Sequence, residues 1–235
     1  MIKSIFTTLF SVFSFLLLGQ NVPLNQAYEN YFGQKLHNLD NDFHTSVKPY
    51  NTRDAGNVID SAFSGLSKER STWIGRKLFN EHLINIQKED FGLIVNPLGN
   101  VILGNDNNEE NLVYINTRGL QFMGHIGDKF SFYSDFYENQ ARFPQYLSDY
   151  SFENDIIPGE GMFKIFRFSD TDTRDFAFVT GVLNYRPNKF FDFQFGQGKN
   201  FFGDGYRSLL LSDNAFTYPF LKITTSVWKL KYTNL

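Results

Sequence analysis

The sequence predicts an all-β fold: a transmembrane antiparallel β-barrel, of which this chain supplies an incomplete part of a large wall, preceded by a small helical periplasmic segment. Three observations predict it. The chain opens like an exported protein, it has no cysteine in 235 residues, and its 28 Phe and 12 Tyr recur in strand-like alternation rather than in one cluster. In lipid every backbone donor needs a partner, so a spanning sheet closes on itself, showing the bilayer an apolar face and the lumen a polar one. A soluble sandwich also alternates; strand length, aromatic girdles and polar inward positions separate the two.

The export signature is Lys3, then an apolar and hydroxyl-bearing stretch from Ile5 to Leu18, then Gly19-Gln20. A basic start and a short apolar run make a cleaved signal peptide over residues 1–20, too short and wrongly flanked for a spanning helix. The missing cysteines exclude disulfide scaffolds, thiolate metal sites, Cys nucleophiles and a lipoprotein anchor. A formal charge of -3 gives no electrostatic case for nucleic acid.

Residues 21–88 read as a periplasmic helical and irregular segment. Gln26 to Leu39 carries Tyr28, Leu36 and Leu39 at helical spacing, and Ser67 caps a second helix with Trp73, Ile74, Leu78 and Leu83 along one side. His37, His44, His82 and His125 lack ligand spacing, so no metal is expected.

Residues 89–235 read as the N-terminal part of the barrel. Phe91 to Asp106 splits into two apolar runs around a turn at Asn96-Pro97-Leu98-Gly99. Asn111 to His125 and Phe130 to Gln140 form a hairpin about Gly127-Asp128, with Tyr133, Asp135, Tyr137 and Asn139 on one face and Phe130, Phe132 and Phe136 on the other. Phe143 to Asp175 is a long loop with a short strand at Met162 to Phe168; its Asp170-Thr171-Asp172 lacks the glycine and distal glutamate of a calcium loop. Phe176 to Arg186 and Phe190 to Gln197 form a second hairpin, placing Phe191, Phe193 and Phe195 opposite Asp192, Gln194 and Gly196. Leu221 to Asn234 is one last strand.

Between these strands lies the densest stretch of the chain, Gly196 to Leu211, where four glycines interleave with Lys199, Asp204 and Arg207. A phosphate loop needs its Lys-Ser/Thr pair at the end and a helix behind it, and neither is present. Asp204 and Asp213 could pair as glycosidase carboxylates only if they converge. The favoured reading is a structural and binding one. Glycines let the backbone bend and approach closely, while Lys199, Asp204, Arg207, Asp213 and Asn214 form a lumen charge network or a polysaccharide contact.

The run from Gly196 to Thr224, with Phe202-Gly203-Asp204-Gly205, Arg207-Ser208-Leu209, Leu211-Ser212, Asn214-Ala215 and Pro219, resembles the Wzi-type capsule-assembly proteins of Gram-negative outer membranes. It is closer to their Bacteroidetes relatives, including RemB-like gliding-motility proteins, and Trp73 to Phe79 resembles the segment that leads into the family's barrel. The resemblance implies a monomeric outer-membrane barrel that anchors or organises surface polysaccharide, or supports gliding and adhesion. Its partners would be outer-membrane lipid and surface or capsular polysaccharide, with no catalytic residue, cofactor or metal. The strands here supply about half of the family's wall, so the chain is expected to be a fragment. A diffusion pore and a surface glycan hydrolase are the alternative functions.

Overall fold

The computed structural model describes residue 24 and residues 45–52, 54, 69–106, 112–165 and 173–235. The signal peptide and the helix expected over Gln26 to Leu39 lie outside the described residues. The one described helix ahead of the sheet is α1 (Trp73–Phe79), and Thr72 rather than Ser67 caps it: the Thr72 Oγ1 accepts from the Gly75 N–H at 3.2 Å.

Eight strands then pair in chain order, each antiparallel to the last: β2 (Ile84–Lys88), β3 (Phe91–Asn105), β4 (Leu112–Ile126), β5 (Phe130–Arg142), β7 (Arg174–Tyr185), β8 (Phe191–Gly198), β10 (Tyr218–Val227) and β11 (Leu230–Asn234). A short β6 (Lys164–Ile165) pairs with the start of β7, and β1 (Val47–Lys48) pairs with β9 (Phe201–Phe202) in a separate ladder. The all-β antiparallel architecture is therefore as expected, but the sheet is open: among the described residues β2 and β11 are its two edges. The sheet also takes in Ile84–Lys88, which the pattern alone assigns to the preceding segment.

Three details differ from the sequence reading, each for a physical reason, and a fourth falls partly outside the described residues. Asn96-Pro97-Leu98-Gly99 is not a turn but the middle of β3, Pro97 facing Leu120. Partner β2 reaches only to Val95, so Pro97 stands on an edge, where a missing N–H is tolerated. The loop after β5 contains a helix, α2 (Gln145–Asn154), which has no side-chain cap and buries only Ser148 and Ser151, so no apolar stripe announces it. The strand expected at Met162 to Phe168 is seen only as β6, residues 166–172 lying outside the described ones. Leu221 to Asn234 is a hairpin: Trp228, at φ 54, takes the left-handed conformation a tight turn needs, and Val227 pairs with Leu230.

Register fixes what each face carries. Phe130, Phe132 and Phe136 of β5 lie opposite Ile126, Gly124 and Leu120 on β4 and Tyr185, Leu183 and Val179 on β7. Leu183 in turn faces Phe195, and Phe195 faces Leu221. The alternate positions form the second face, with Ser131, Asp135 and Asn139 on β5, Asn184 on β7 and Asp192 and Gln194 on β8. Burial is inverted relative to a water-soluble sheet: Leu183 is 60% exposed and Phe195 62%, whereas Asp135 and Lys222 are each 3% exposed.

The two ends of the sheet are unlike. At one, β2–β3, β4–β5, β7–β8 and β10–β11 are joined by short turns; at the other, the connections are residues 106–111, 143–173 and 199–217. The small apolar core sits at the long-loop end, where Ala141, Phe143, Ile157 and Phe176 pack with Leu147 and Phe163.

Candidate functional site: a polar trough under a strap

On the polar face, β8, β10 and β11 align three rows of side chains. Gln194 is flanked by Asn184 and Lys222, Asp192 is aligned with Thr224 and Thr233, and Ser226 faces Lys231. Strand alternation brings every second residue to one side, so these rows follow directly from register. Lys222 donates from Nζ to the Oδ1 of Asn200 at 3.1 Å, and Asn200 is fully buried. The Oδ1 of Asp192 is buried with no hydrogen-bond partner.

A strap made of residues 45–52 and Asp54 crosses this trough. At the long-loop end the Gly203 N–H donates to the Ser46 carbonyl at 2.8 Å, and Val47 and Lys48 pair with Phe202 and Phe201. There the Lys48 ammonium lies 5.1 Å from the Phe201 ring centroid and Tyr50 is buried. At the short-turn end the Asp54 carboxylate takes Arg186 Nη1 on one oxygen and Lys231 Nζ on the other, both at 2.8 Å. Burial pushes the Asp54 carboxyl upward, but Lys231 and Arg186 together outweigh it and hold it below its ordinary 3.8. Between strap and sheet runs a narrow cleft lined by Tyr50, Asp54, Arg186, Asp192, Lys222 and Thr224.

The residues singled out from sequence are divided by the fold. Lys199 Nζ donates to the Gly159 carbonyl at 2.7 Å, and Asn214 borders the same glycine, so the 157–161 loop docks on the Gly196–Leu211 stretch and its continuation. Glu160 beside them is raised above its ordinary 4.5 by burial, Lys199 partly opposing this. Asp213 accepts from the Ser212 hydroxyl at 3.2 Å. Asp204 and Arg207 are exposed, and Arg207 lies over the Tyr206 ring at 5.5 Å; among the described residues no ion pair joins Asp204 to Lys199 or Arg207. The expected five-residue network is thus two pieces of a loop clasp and two surface charges with Asp213 apart.

Sequence reasoning placed Asp192 and Gln194 on a polar face but missed Asn200, Arg186, Lys222 and Asp54 as members of one constellation. Inward alternation in β10 could have flagged Lys222. Asp54 lies more than a hundred residues from both partners, and no local pattern marks it.

Geometry therefore defines an open antiparallel meander with an apolar outer face, a polar trough and a strap across it. No family model matches the chain, and neither a curated protein nor a solved structure matches it.

Proposed function

We propose that this chain is wall of an outer-membrane β-barrel, its apolar face against lipid and its trough toward the lumen, with a non-enzymatic role in holding or organising surface polysaccharide. The inverted burial of the sheet carries the reading. Soluble monomers expose apolar patches of roughly 300–600 Å², whereas here a continuous band runs from β2 to β11. On β7 that band extends from Val179 to Tyr185, ~20 Å at about 3.3 Å per residue, which fits within the apolar belt ~25 Å tall of membrane barrels.

Two further features support it. Outer-membrane barrels join strands by short turns on the periplasmic side and longer loops outside, the asymmetry this sheet has. Aromatic rings gather at the short-turn end of the outer face, Phe130 stacking on Tyr185 at 4.4 Å and Tyr185 on Phe193 at 6.4 Å, where an interfacial girdle would lie. Beyond Phe136 the same face turns charged, with Arg118 and Glu138 paired at 3.0 Å.

The polysaccharide role follows from the resemblance of residues 196–224 and from a trough rich in hydroxyl, amide and charged groups. A strap lying along the trough weighs against a diffusion pore, which single-channel conductance would reveal. Membrane fractionation of cells, with gel mobility before and after boiling, tests the wall assignment. A heat-modifiable species in the outer-membrane fraction is expected, and a soluble species that does not shift on boiling would sink it. Loss of cell-associated polysaccharide on deleting the gene, with no loss of glycan hydrolysis, tests the role.

A further inference from the structure

We infer that the strap is a latched cover over a saccharide-binding site: the trough residues Asp192, Gln194, Lys222, Thr224 and Thr233 take a hydroxyl-rich ligand, and the Asp54 carboxylate shared by Arg186 and Lys231 holds the cover down. The ligand class rests on the surface-polysaccharide reading; the latch does not.

The chemistry of the site selects the ligand. Asp192 is 8% exposed and presents a buried oxygen with no donor, so the site asks for an O–H or N–H. One residue row away the Lys222 ammonium gives one N–H to Asn200 and has further donors to offer an acceptor. A carboxylate ligand would satisfy the lysine and repel the aspartate, and an ammonium ligand would do the reverse. Hydroxyl groups both donate and accept, and vicinal hydroxyls meet both needs along one edge of a sugar. Thr224 and Thr233, whose hydroxyl oxygens lie 3.3 Å apart, extend the same edge.

Among the described residues the strap is fastened in at least two ways. Its start is held by backbone hydrogen bonds to Gly203 and Phe202 and by buried Tyr50, which salt does not weaken. Asp54 is held by charge, with side chains 20% exposed for the aspartate, 19% for Arg186 and 34% for Lys231. Partly exposed ion pairs are screened by salt. The Asp54 end is therefore the one that opens, and the first end acts as its hinge. With the strap seated, the cleft encloses about 40 Å³, room for a few waters and too little for a sugar ring. Binding thus requires release.

The test uses the full chain, whose lack of cysteine lets Thr224→Cys place a single thiol in the trough. Labelling by a small polar thiosulfonate is compared in Asp54 and Asp54→Asn backgrounds. Losing a charge-assisted bond of this kind should speed labelling by about tenfold or more. Sodium chloride at high concentration should speed it in the Asp54 protein and leave Asp54→Asn unchanged. Lys231→Gln, which removes half the latch, should fall between. Thr117→Cys on β4, on the same polar face, serves as a control and should label at one rate in both backgrounds. Equal Thr224→Cys rates with and without Asp54, or an equal acceleration at Thr117→Cys, overturns the latch. Short glucose oligomers, as a neutral hydroxyl-rich probe, should protect Thr224→Cys in the Asp54→Asn protein. Faster labelling without protection overturns the ligand assignment alone, while the membrane assignment stands or falls separately on the boiling shift.

Discussion

The two faces of β5, β7 and β8 are made by the same strands, one residue apart, yet they follow opposite rules. On one face Leu183 and Phe195 stand out in the open; on the other Asn184 and Gln194, their chain neighbours, are buried. Along the middle of these strands burial follows the face a side chain stands on, and hydropathy runs against it. Apolar surface left open has to be covered by something as apolar as itself, and a polar face that is buried has to satisfy its own groups.

The sharpest way to break the contrast is to put the same charge on each face. Leu183→Arg, outward and mid-band, should cost roughly 2–4 kcal/mol in a bilayer and abolish the heat-modifiable band. Thr180→Arg, three residues earlier and facing the trough, should leave that band in place. If both variants behave alike, the outer face does not meet lipid.

A second test concerns how tightly the strands are drawn together. A Cβ at Gly196 would lie 2.1 Å from the Gly181 carbonyl oxygen of β7, and one at Gly119 would lie 2.2 Å from that of Phe136. Backbone cannot yield as a side-chain tip does, so Gly196→Ala should cost about 1–3 kcal/mol through forced strand displacement. Gly181→Ala should be far milder, its nearest neighbour being the Ser134 hydroxyl at 3.7 Å. Urea unfolding of the refolded protein measures the difference. Within the trough, Lys222→Met leaves the Asn200 carbonyl oxygen without its donor, and should cost about 1–3 kcal/mol.

How much of this could be read in the chain depends on the range of the interaction. The β4–β5 and β7–β8 hairpins were legible because alternation and turn residues are local: Gly127, at φ 56, sits where the turn between Ile126 and Phe130 requires it. The same alternation places Asp135 and Asp192 on one face and Phe195 on the other, as the register does. Helix α2 is illegible because its fully buried residues are serines, Ser151 bonding back to the Leu147 carbonyl, and Leu147 alone does not make an apolar period. The trough was half legible. Strand register collects Asp192 and Lys222, but the Asp54 contacts span 132 and 177 positions of sequence, and charge alone does not say which aspartate finds which cation. The glycine-rich stretch is dense in charges, yet Asp204 and Arg207 are exposed and its best-anchored side chains are Asn200 and Lys199.

The smallest expected effect separates the two ends of the molecule by pH. Asp54, at the short-turn end, titrates below 3.8 in the folded chain because Lys231 and Arg186 outweigh its burial, with Asp192 the nearby carboxylate. A lowered carboxyl contributes stability above its unfolded value and loses it as pH falls through the folded one. Strap amides should therefore exchange at a flat, chemistry-corrected rate down to about pH 4 and faster below. Glu160, at the long-loop end, is raised above 4.5 by burial against the opposing pull of Lys199. Its contribution has the other sign, present below the unfolded value and lost as pH rises through the folded one. Acidification should thus tighten the 157–161 loop before it loosens the strap. Hydrogen exchange of the two segments across the acid range, in the parent, Asp54→Asn and Glu160→Gln proteins, checks both signs at once. Each substitution should flatten its own segment's profile and leave the other's unchanged. Two segments that loosen together in all three proteins would show the sheet giving way as a whole, with neither carboxylate in control.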